Sequence, residues 1–349
     1  MHKANLVVCG ALLVAVAAAC GGGASPTPSP ASRPSGGDPG AGGKPLLVAI
    51  SRSAEQPYVA NQQRSFAETA VSLGAAAATY DAKLDANLAL DLVNEAIAAG
   101  ARGIAIGVPD EAIGPAVARA AAEAGVVVVA TDDAIRDASG NAVPFVGFDD
   151  AEMGRQVGET AAQLLVDEGW LRDASRKVGV LSVEVPTRSA CTARTDASKA
   201  AIRAAGVPDA QIFAVLSTGE TSSARDAAGP VITSNPDITD WVVVACTDEG
   251  AAGALEMLAT AGADPSGIIA VGLGALEACR PWAAGRPTGF RAALFLPGPD
   301  VGRTAATLLY AAAVDGSAPP ATTYLPATMV NRATFKNVLD PASLASCSQ

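Results

Sequence analysis

From residue 45 onward the chain repeats one pattern: a short run of apolar residues, then a longer segment with apolar residues at helical spacing. The first run, Pro45–Ser51, is apolar without alternation, as in a strand buried on both faces. The spacing predicts helix Pro57–Leu73, a weak strand Ala75–Asp81, and helix Asn87–Ala99 closed by Gly100. Strand Arg102–Val108, helix Ile113–Ala124 and strand Val126–Ala130 follow, then strand Val143–Gly147 and helix Ala151–Glu168. A second series takes strands Lys177–Val183, Gln211–Leu216, Trp241–Cys246, Gly267–Leu273 and Phe290–Leu296. Its helices are Thr195–Ala205, Ser222–Thr233, Ala251–Ala261, Leu276–Ala284 and Asp300–Val314, and Thr322–Met329 reads as a last strand. Strands alternating with helices require parallel sheets covered on both faces. About ten strands in two series predict an α/β protein of two doubly wound parallel-sheet lobes. Val-Val-Val-Val-Ala-Thr-Asp-Asp, ending at Asp133, is echoed by Trp-Val-Val-Val-Ala-Cys-Thr-Asp, ending at Asp248.

The first forty-four residues do not belong to this pattern. Leu6–Ala19 is almost wholly apolar, too short to span a bilayer and suited to the core of an export signal. It ends Ala17-Ala-Ala-Cys20 and is followed by three glycines, which resembles a bacterial lipobox, with Ala17 where leucine is usual. Residues 1–20 therefore read as a lipoprotein signal peptide, with Cys20 the lipidated residue; cleavage after Ala19 without lipid is the alternative. Residues 21–44 are Gly, Pro, Ser and Ala with little to bury, a disordered tether. The folded body is thus expected in the cell envelope, outside the cytoplasmic membrane and anchored to it.

Composition removes much chemistry. The 349-residue chain has net charge −11, a poor match for nucleic acid. Its only histidine, His2, lies in the segment predicted to be cleaved. That excludes Ser-His-Asp and Cys-His catalysis and histidine-ligated zinc. Gly272-x-Gly274 follows a strand, but Glu277 stands where a dinucleotide loop needs its third glycine.

In open parallel sheets ligands bind beyond the carboxyl ends of the strands. The polar residues there are Arg52, Glu55, Gln56 and Tyr58, then Asp132 and Asp133, and in the second series Arg188, Arg194, Thr247, Asp248 and Glu277. Four cysteines remain in the body: Cys191, Cys246, Cys279 and Cys347. Outside the cytoplasm they suggest two disulfides in one of three pairings. Cys191 follows the first strand of the second series and Cys246 the third; those strands are neighbours in a doubly wound order, which favours their pairing and leaves Cys279 with Cys347.

Several stretches carry a more specific likeness, in order and spacing: Glu55-Gln-Pro-Tyr58, Val129-Ala-Thr-Asp-Asp133, Asn141-Ala-Val-Pro-Phe-Val-Gly-Phe148, Thr192-Ala-Arg194, Trp241–Asp248, Ile268-Ile-Ala-Val-Gly272 and Leu296-Pro-Gly-Pro-Asp-Val301. Together they resemble the arabinose-binding proteins of bacterial sugar ABC transporters, over Pro45 to about Leu339. The resemblance implies a type I periplasmic-binding-protein fold, its lobes joined by a multi-strand hinge. One lobe would comprise 45–147 and 297–326, the other 148–296 and 327–349. It implies a monomer that passes a monosaccharide to an ABC permease, with no enzymatic activity, cofactor or metal.

By the same resemblance Arg52 donates to sugar hydroxyls and Tyr58 stacks on the ring. Asp133, with Asp132 beside it, accepts hydroxyl protons; Phe148 is apolar near the hinge; and Arg194 reaches in from the second lobe. This chain departs from the family at Gln56, where glutamate is usual, at Thr247 and Gly274 for asparagine, at Glu277 for aspartate and at Cys246 for methionine. Gln56, Thr247 and Glu277 stay in the expected ligand set, but the altered amides point to a guest other than L-arabinose, with Gly274 expected to free volume. Two further readings compete: a sugar-sensing receptor for a membrane signalling protein, and an extracellular carbohydrate hydrolase using Asp133 and Glu277 as paired carboxylates.

Overall fold

A computed structural model describes residues 43–348. The predicted signal peptide, Cys20 and nearly all of the tether lie outside the described residues. The elements run β1 (Leu46–Ser51), α1 (Pro57–Ser72), β2 (Ala76–Asp81), α2 (Ala86–Ala98), β3 (Ala101–Ile106), α3 (Gly114–Ala124), β4 (Val127–Thr131) and β5 (Phe145–Gly147). The second series is α4 (Asp150–Asp167), β6 (Val178–Glu184), α5 (Ser189–Ala204), β7 (Ile212–Leu216), α6 (Thr221–Ser234), β8 (Asp240–Ala245), α7 (Asp248–Thr260), β9 (Ile268–Gly274), α8 (Leu276–Ala283) and β10 (Phe290–Phe295). The chain ends with α9 (Gly298–Asp315), β11 (Thr322–Tyr324), β12 (Thr328–Val330), α10 (Phe335–Val338) and α11 (Pro341–Ser346).

The strands form two six-stranded sheets, ordered β11-β5-β4-β3-β1-β2 and β12-β10-β9-β8-β6-β7. Every pairing is parallel except β10 with β12. In each sheet the first strand of its series sits between the second and the third, so the winding reverses there and leaves a crevice at the carboxyl ends. These crevices lie beside β1 and β3 in one lobe and β6 and β8 in the other.

The two lobes are alike because their strands are alike: β1, β3, β6, β8 and β9 are buried almost throughout and pack helices on both faces. Helix starts follow local chemistry. Pro57 opens α1, Asp149 caps α4 through the Glu152 amide, and Thr247 caps α7 through the Gly250 amide. Three segments cross between lobes: after β5, after β10, and between β11 and β12.

Two sequence expectations need correction. Thr322–Met329 is not one strand: β11 pairs with β5 in the first sheet and β12 with β10 in the second, broken at Pro326, whose ring removes a ladder donor. The helix expected from Thr195 begins six residues earlier at Ser189, so Cys191 and Arg194 are helical, not in a loop. Gly154 explains the geometry of this region. A Cβ there would lie 2.1 Å from the Arg194 carbonyl oxygen, so only glycine lets α4 approach α5 this closely. That contact sets Asp150, one turn earlier on α4, beside the Arg194 side chain.

Candidate functional site

The first lobe delivers its charges from two strand ends. Arg52, immediately after β1, is buried, with Nη1 3.6 Å from Asp132 Oδ2 and 3.4 Å from Asp133 Oδ2. Its Nε donates to Gln56 Oε1 at 3.2 Å. Asp132 and Asp133 follow β4, and Asp132 has φ +64°, a left-handed turn that aspartate tolerates better than most side chains. The Tyr58 hydroxyl donates to Asp132 Oδ1 at 2.5 Å.

The second lobe answers with arginines. Arg188 Nη1 lies 3.5 Å from Asp133 Oδ2, an ion pair between lobes. Arg194 Nε donates to Asp150 Oδ1 at 2.7 Å, and its Nη1 donates to the Cys246 carbonyl at 3.3 Å. Two more contacts join the lobes: Gln56 Nε2 donates to Glu220 Oε1 at 2.8 Å, and Ser189 donates to the Glu111 carboxylate through its hydroxyl at 2.6 Å and its amide at 3.1 Å.

Between these groups lies a small cavity where the two lobes meet. Arg52, Tyr58 and Asp132 line it from the first lobe; Arg194 and the run Cys246-Thr247-Asp248-Glu249 line it from the second. Leu273, Leu276 and Leu296 add an apolar wall.

Burial shifts the ionisation of this cluster. It raises the carboxyls of Asp132 and Asp150 against the pull of Arg52 and Arg194, and raises the Tyr58 hydroxyl well above its ordinary value. It brings Arg188 down to about 10, still protonated at neutral pH. Asp248 is pushed up to about 7 and Glu249 to about 8, by burial and then, for Glu249, by its Asp248 neighbour. Three buried atoms, Asp133 Oδ1, Arg188 Nε and Asp248 Oδ1, have no hydrogen-bond partner among the described residues. Their residues are 3%, 4% and 5% exposed.

The residues singled out from the sequence are thus divided. Arg52, Tyr58, Asp132 and Arg194 reach the cavity wall, and Asp133 sits at the centre of the ion-pair cluster beside it. Gln56 is spent between Arg52 and Glu220. Thr247 touches the cavity, but its hydroxyl accepts from the Gly250 amide and donates to the Gly219 carbonyl. Phe148 is buried at the first crossing, in the apolar core shared with Met153, away from the cavity wall. Glu277 bonds Arg280 at 2.5 Å and lines a separate groove on the second lobe, so no paired carboxylates form with Asp133. The volume expected from Gly274 is also not free. Its φ is +139°, and a Cβ there would come 2.9 Å from Asp248 Cβ: the Asp248 side chain fills that space, Oδ2 accepting the Glu277 amide at 2.6 Å.

Sequence reasoning gave no role to Asp150, Glu220 or Glu249, and left Arg188 and Asp248 as polar residues at strand ends. The signals were faint: Asp150 and Glu249 sit in first turns of helices, where acidic residues ordinarily serve only the helix dipole. The cysteines pair as Cys191–Cys246 and Cys279–Cys347, with Cα–Cα separations of 5.0 and 5.3 Å. Among the described residues no helix is long and apolar enough to cross a membrane.

Two lobes with facing strand ends, three crossings and a charged cleft define an architecture, and comparison identifies it. The periplasmic binding protein domain model matches residues 47–317, most of the chain. The chain belongs to the periplasmic binding protein family. An ABC transporter L-arabinose-binding periplasmic protein from Azospirillum brasilense is 31% identical to this periplasmic binding protein over 247 residues, 68% of this chain and 72% of that one. The L-arabinose-binding periplasmic protein of Escherichia coli (strain K12) is 28% identical over 266 residues, 74% and 80% of the two chains. The Caulobacter myo-inositol binding protein, solved with myo-inositol bound, has the same fold, with a TM-score of 0.70 at 21% identity over 84% of this chain and 95% of that one. Extracytoplasmic location goes with this family.

Proposed function

We propose that this periplasmic binding protein captures a monosaccharide between its lobes and delivers it to the permease of an ABC importer. The observation that carries the reading is the cluster of buried, unpartnered polar atoms on Asp133, Arg188 and Asp248 beside a cavity walled by Tyr58 and two further arginines. A sugar presents hydroxyls that both donate and accept, matching carboxylate and guanidinium groups, and a C–H face that suits the tyrosine ring. The names and bound molecules of the relatives are sugars and polyols, which supports the class. In this reading Arg52, Asp132, Asp133 and Arg194 hold hydroxyls, and closure of the lobes on the guest is the state the permease recognises.

The preferred sugar is expected to differ from L-arabinose. Thr247 and Gly274 lack the side-chain amides the resemblance leads one to expect, and Asp248 occupies the vacated space. A carboxyl cannot donate and accept as an amide does unless it is protonated. Isothermal calorimetry with L-arabinose, D-galactose, D-xylose, D-ribose and D-glucose checks this. Tightest binding to L-arabinose refutes the specificity, and binding to none of them refutes the sugar-capture reading.

We further propose that a lipid on Cys20 holds the protein to the outer face of the membrane, the body riding on the 21–44 segment. Cys20→Ala is expected to move the protein from the membrane fraction to the soluble fraction, or to block its processing. A processed Cys20→Ala protein that stays with the membrane removes the anchor from the model.

A further inference from the structure

The two disulfides occupy different surroundings. Cys279–Cys347 lies within the apolar core of the second lobe, where it ties α8 to the end of α11. Cys191–Cys246 lies outside the large cores, in a small cluster with Val185. It joins the first turn of α5 to the residue just past β8, at the point where the second sheet reverses its winding. Cys246 itself lines the cavity.

Both arginines that the second lobe turns toward the charge cluster flank Cys191, and both rest on its partner. Arg188 Nη2 is 3.9 Å from Cys246 Sγ, while Arg194 Nη1 is 4.0 Å from that sulfur and 3.3 Å from the Cys246 carbonyl oxygen. From there Arg188 reaches Asp133 and Arg194 reaches Asp150. Beyond its packing on α4 near Arg194, the first turn of α5 has few hydrogen bonds that fix it within its own lobe. Its N-cap residue, Arg188, makes no capping hydrogen bond, and the Ser189 contacts to Glu111 cross to the other lobe, so they hold only while the lobes meet.

We propose that the Cys191–Cys246 disulfide is a positioning element of the ligand site, holding the first turn of α5 at the end of β8 so that Arg188 and Arg194 keep their alignment in both open and closed lobes. The proposal rests on reading the cleft as the sugar site. A long guanidinium side chain carries much rotamer freedom, and fixing the base of its helix reduces what must be ordered when a ligand binds. Loosening a supporting contact of this kind costs affinity without unfolding the protein. Both bridges close long loops in the unfolded chain, spanning 55 and 68 residues, and so both support global stability; Cys279–Cys347, in the core away from the cleft, does that alone.

The test compares two double variants of the full chain, C191A/C246A and C279A/C347A. Affinity is measured for whichever of the five sugars named above binds the wild type most tightly. C191A/C246A is expected to lose roughly tenfold or more in affinity while remaining folded. C279A/C347A is expected to melt at a lower temperature with affinity within about twofold of wild type. A double-mutant cycle separates positioning from general loosening. Arg194→Ala should cost less affinity in the C191A/C246A background than in the wild type, and additive losses overturn the proposal. Amide hydrogen exchange gives a reading that needs no ligand. Amides of residues 189–195 should exchange faster in C191A/C246A than in C279A/C347A, and equal rates overturn the positioning role. If no sugar binds the wild type, the functional reading fails, and the exchange measurement still decides the role of the disulfide.

Discussion

Replacing Asp133 with alanine is expected to weaken sugar binding by about 10- to 150-fold, the equivalent of roughly 1.5–3 kcal/mol for one charge-assisted hydrogen bond lost from a buried site. Asp133 is the point where the lobes meet electrically. One carboxylate oxygen faces Arg52 of its own lobe and Arg188 of the other at 3.4 and 3.5 Å, while the second oxygen has no hydrogen-bond partner among the described residues. Removing the carboxylate takes away the acceptor proposed for the ligand and also leaves Arg188, 4% exposed, without its ion-pair partner. Asp133→Asn keeps the shape and an acceptor oxygen but not the charge, so its loss should fall between wild type and alanine. Calorimetry on the two variants checks the order. Wild-type affinity in Asp133→Ala removes the residue from the ligand set.

The second large effect is on stability against pH. Glu249 has a folded-state value near 8 against an ordinary 4.5, raised first by burial and next by Asp248, with Glu277 adding to the rise and Arg52 opposing it. Between those two values the folded protein keeps a proton that the unfolded chain releases. Stability from this group is therefore fully present below about pH 4.5, falls as pH rises through the window, and is lost above about pH 8. Asp248 acts in the same direction over a lower window, up to about 7. Glu249 keeps some contact with solvent in the cavity, so its share of the decline is on the order of 2–3 kcal/mol. Urea unfolding of wild type and Glu249→Gln from pH 5 to 9 should give curves that diverge toward high pH, with the variant the more stable at pH 9. Parallel curves refute the assignment.

The fold was legible because its signal is repetitive. Uninterrupted apolar strands such as Val178–Glu184 and Asp240–Ala245, separated by helices ending at glycine, admit little but doubly wound sheets. The β11–β12 break was not legible, because Thr322–Met329 reads as one extended stretch, and the assignment of its halves to different sheets depends on pairing with β5 and β10. At the site, strand ends pointed to Arg52, Asp132, Asp133 and Arg194 from either half of the chain. What the sequence could not convey is who satisfies whom. Gln56, Thr247 and Glu277 are polar residues in the right places, yet Glu220, the Gly219 carbonyl and Arg280 already occupy them. The Gln56–Glu220 pairing joins residues 164 positions apart and exists only once both lobes are built, while Thr247 and Glu277 are satisfied within the second lobe, Glu277 by a residue only three positions on.

The return of the chain to its first lobe has a consequence for how the molecule assembles. Helix α9 packs on α1, β3 and β4, and β11 completes the edge of a sheet begun at residue 46. The first lobe thus lacks a covering helix and an edge strand until the whole second lobe has been made, and the second lacks β12 until slightly later. A nascent chain that has reached Phe295 carries two unfinished sheets, with the apolar face meant for Leu309 and Val301 still uncovered. Loop closure over such separations is slow and leaves sticky surface exposed meanwhile. Maturation is therefore a late event common to both halves, and a cut placed at any one crossing cannot yield a self-sufficient lobe.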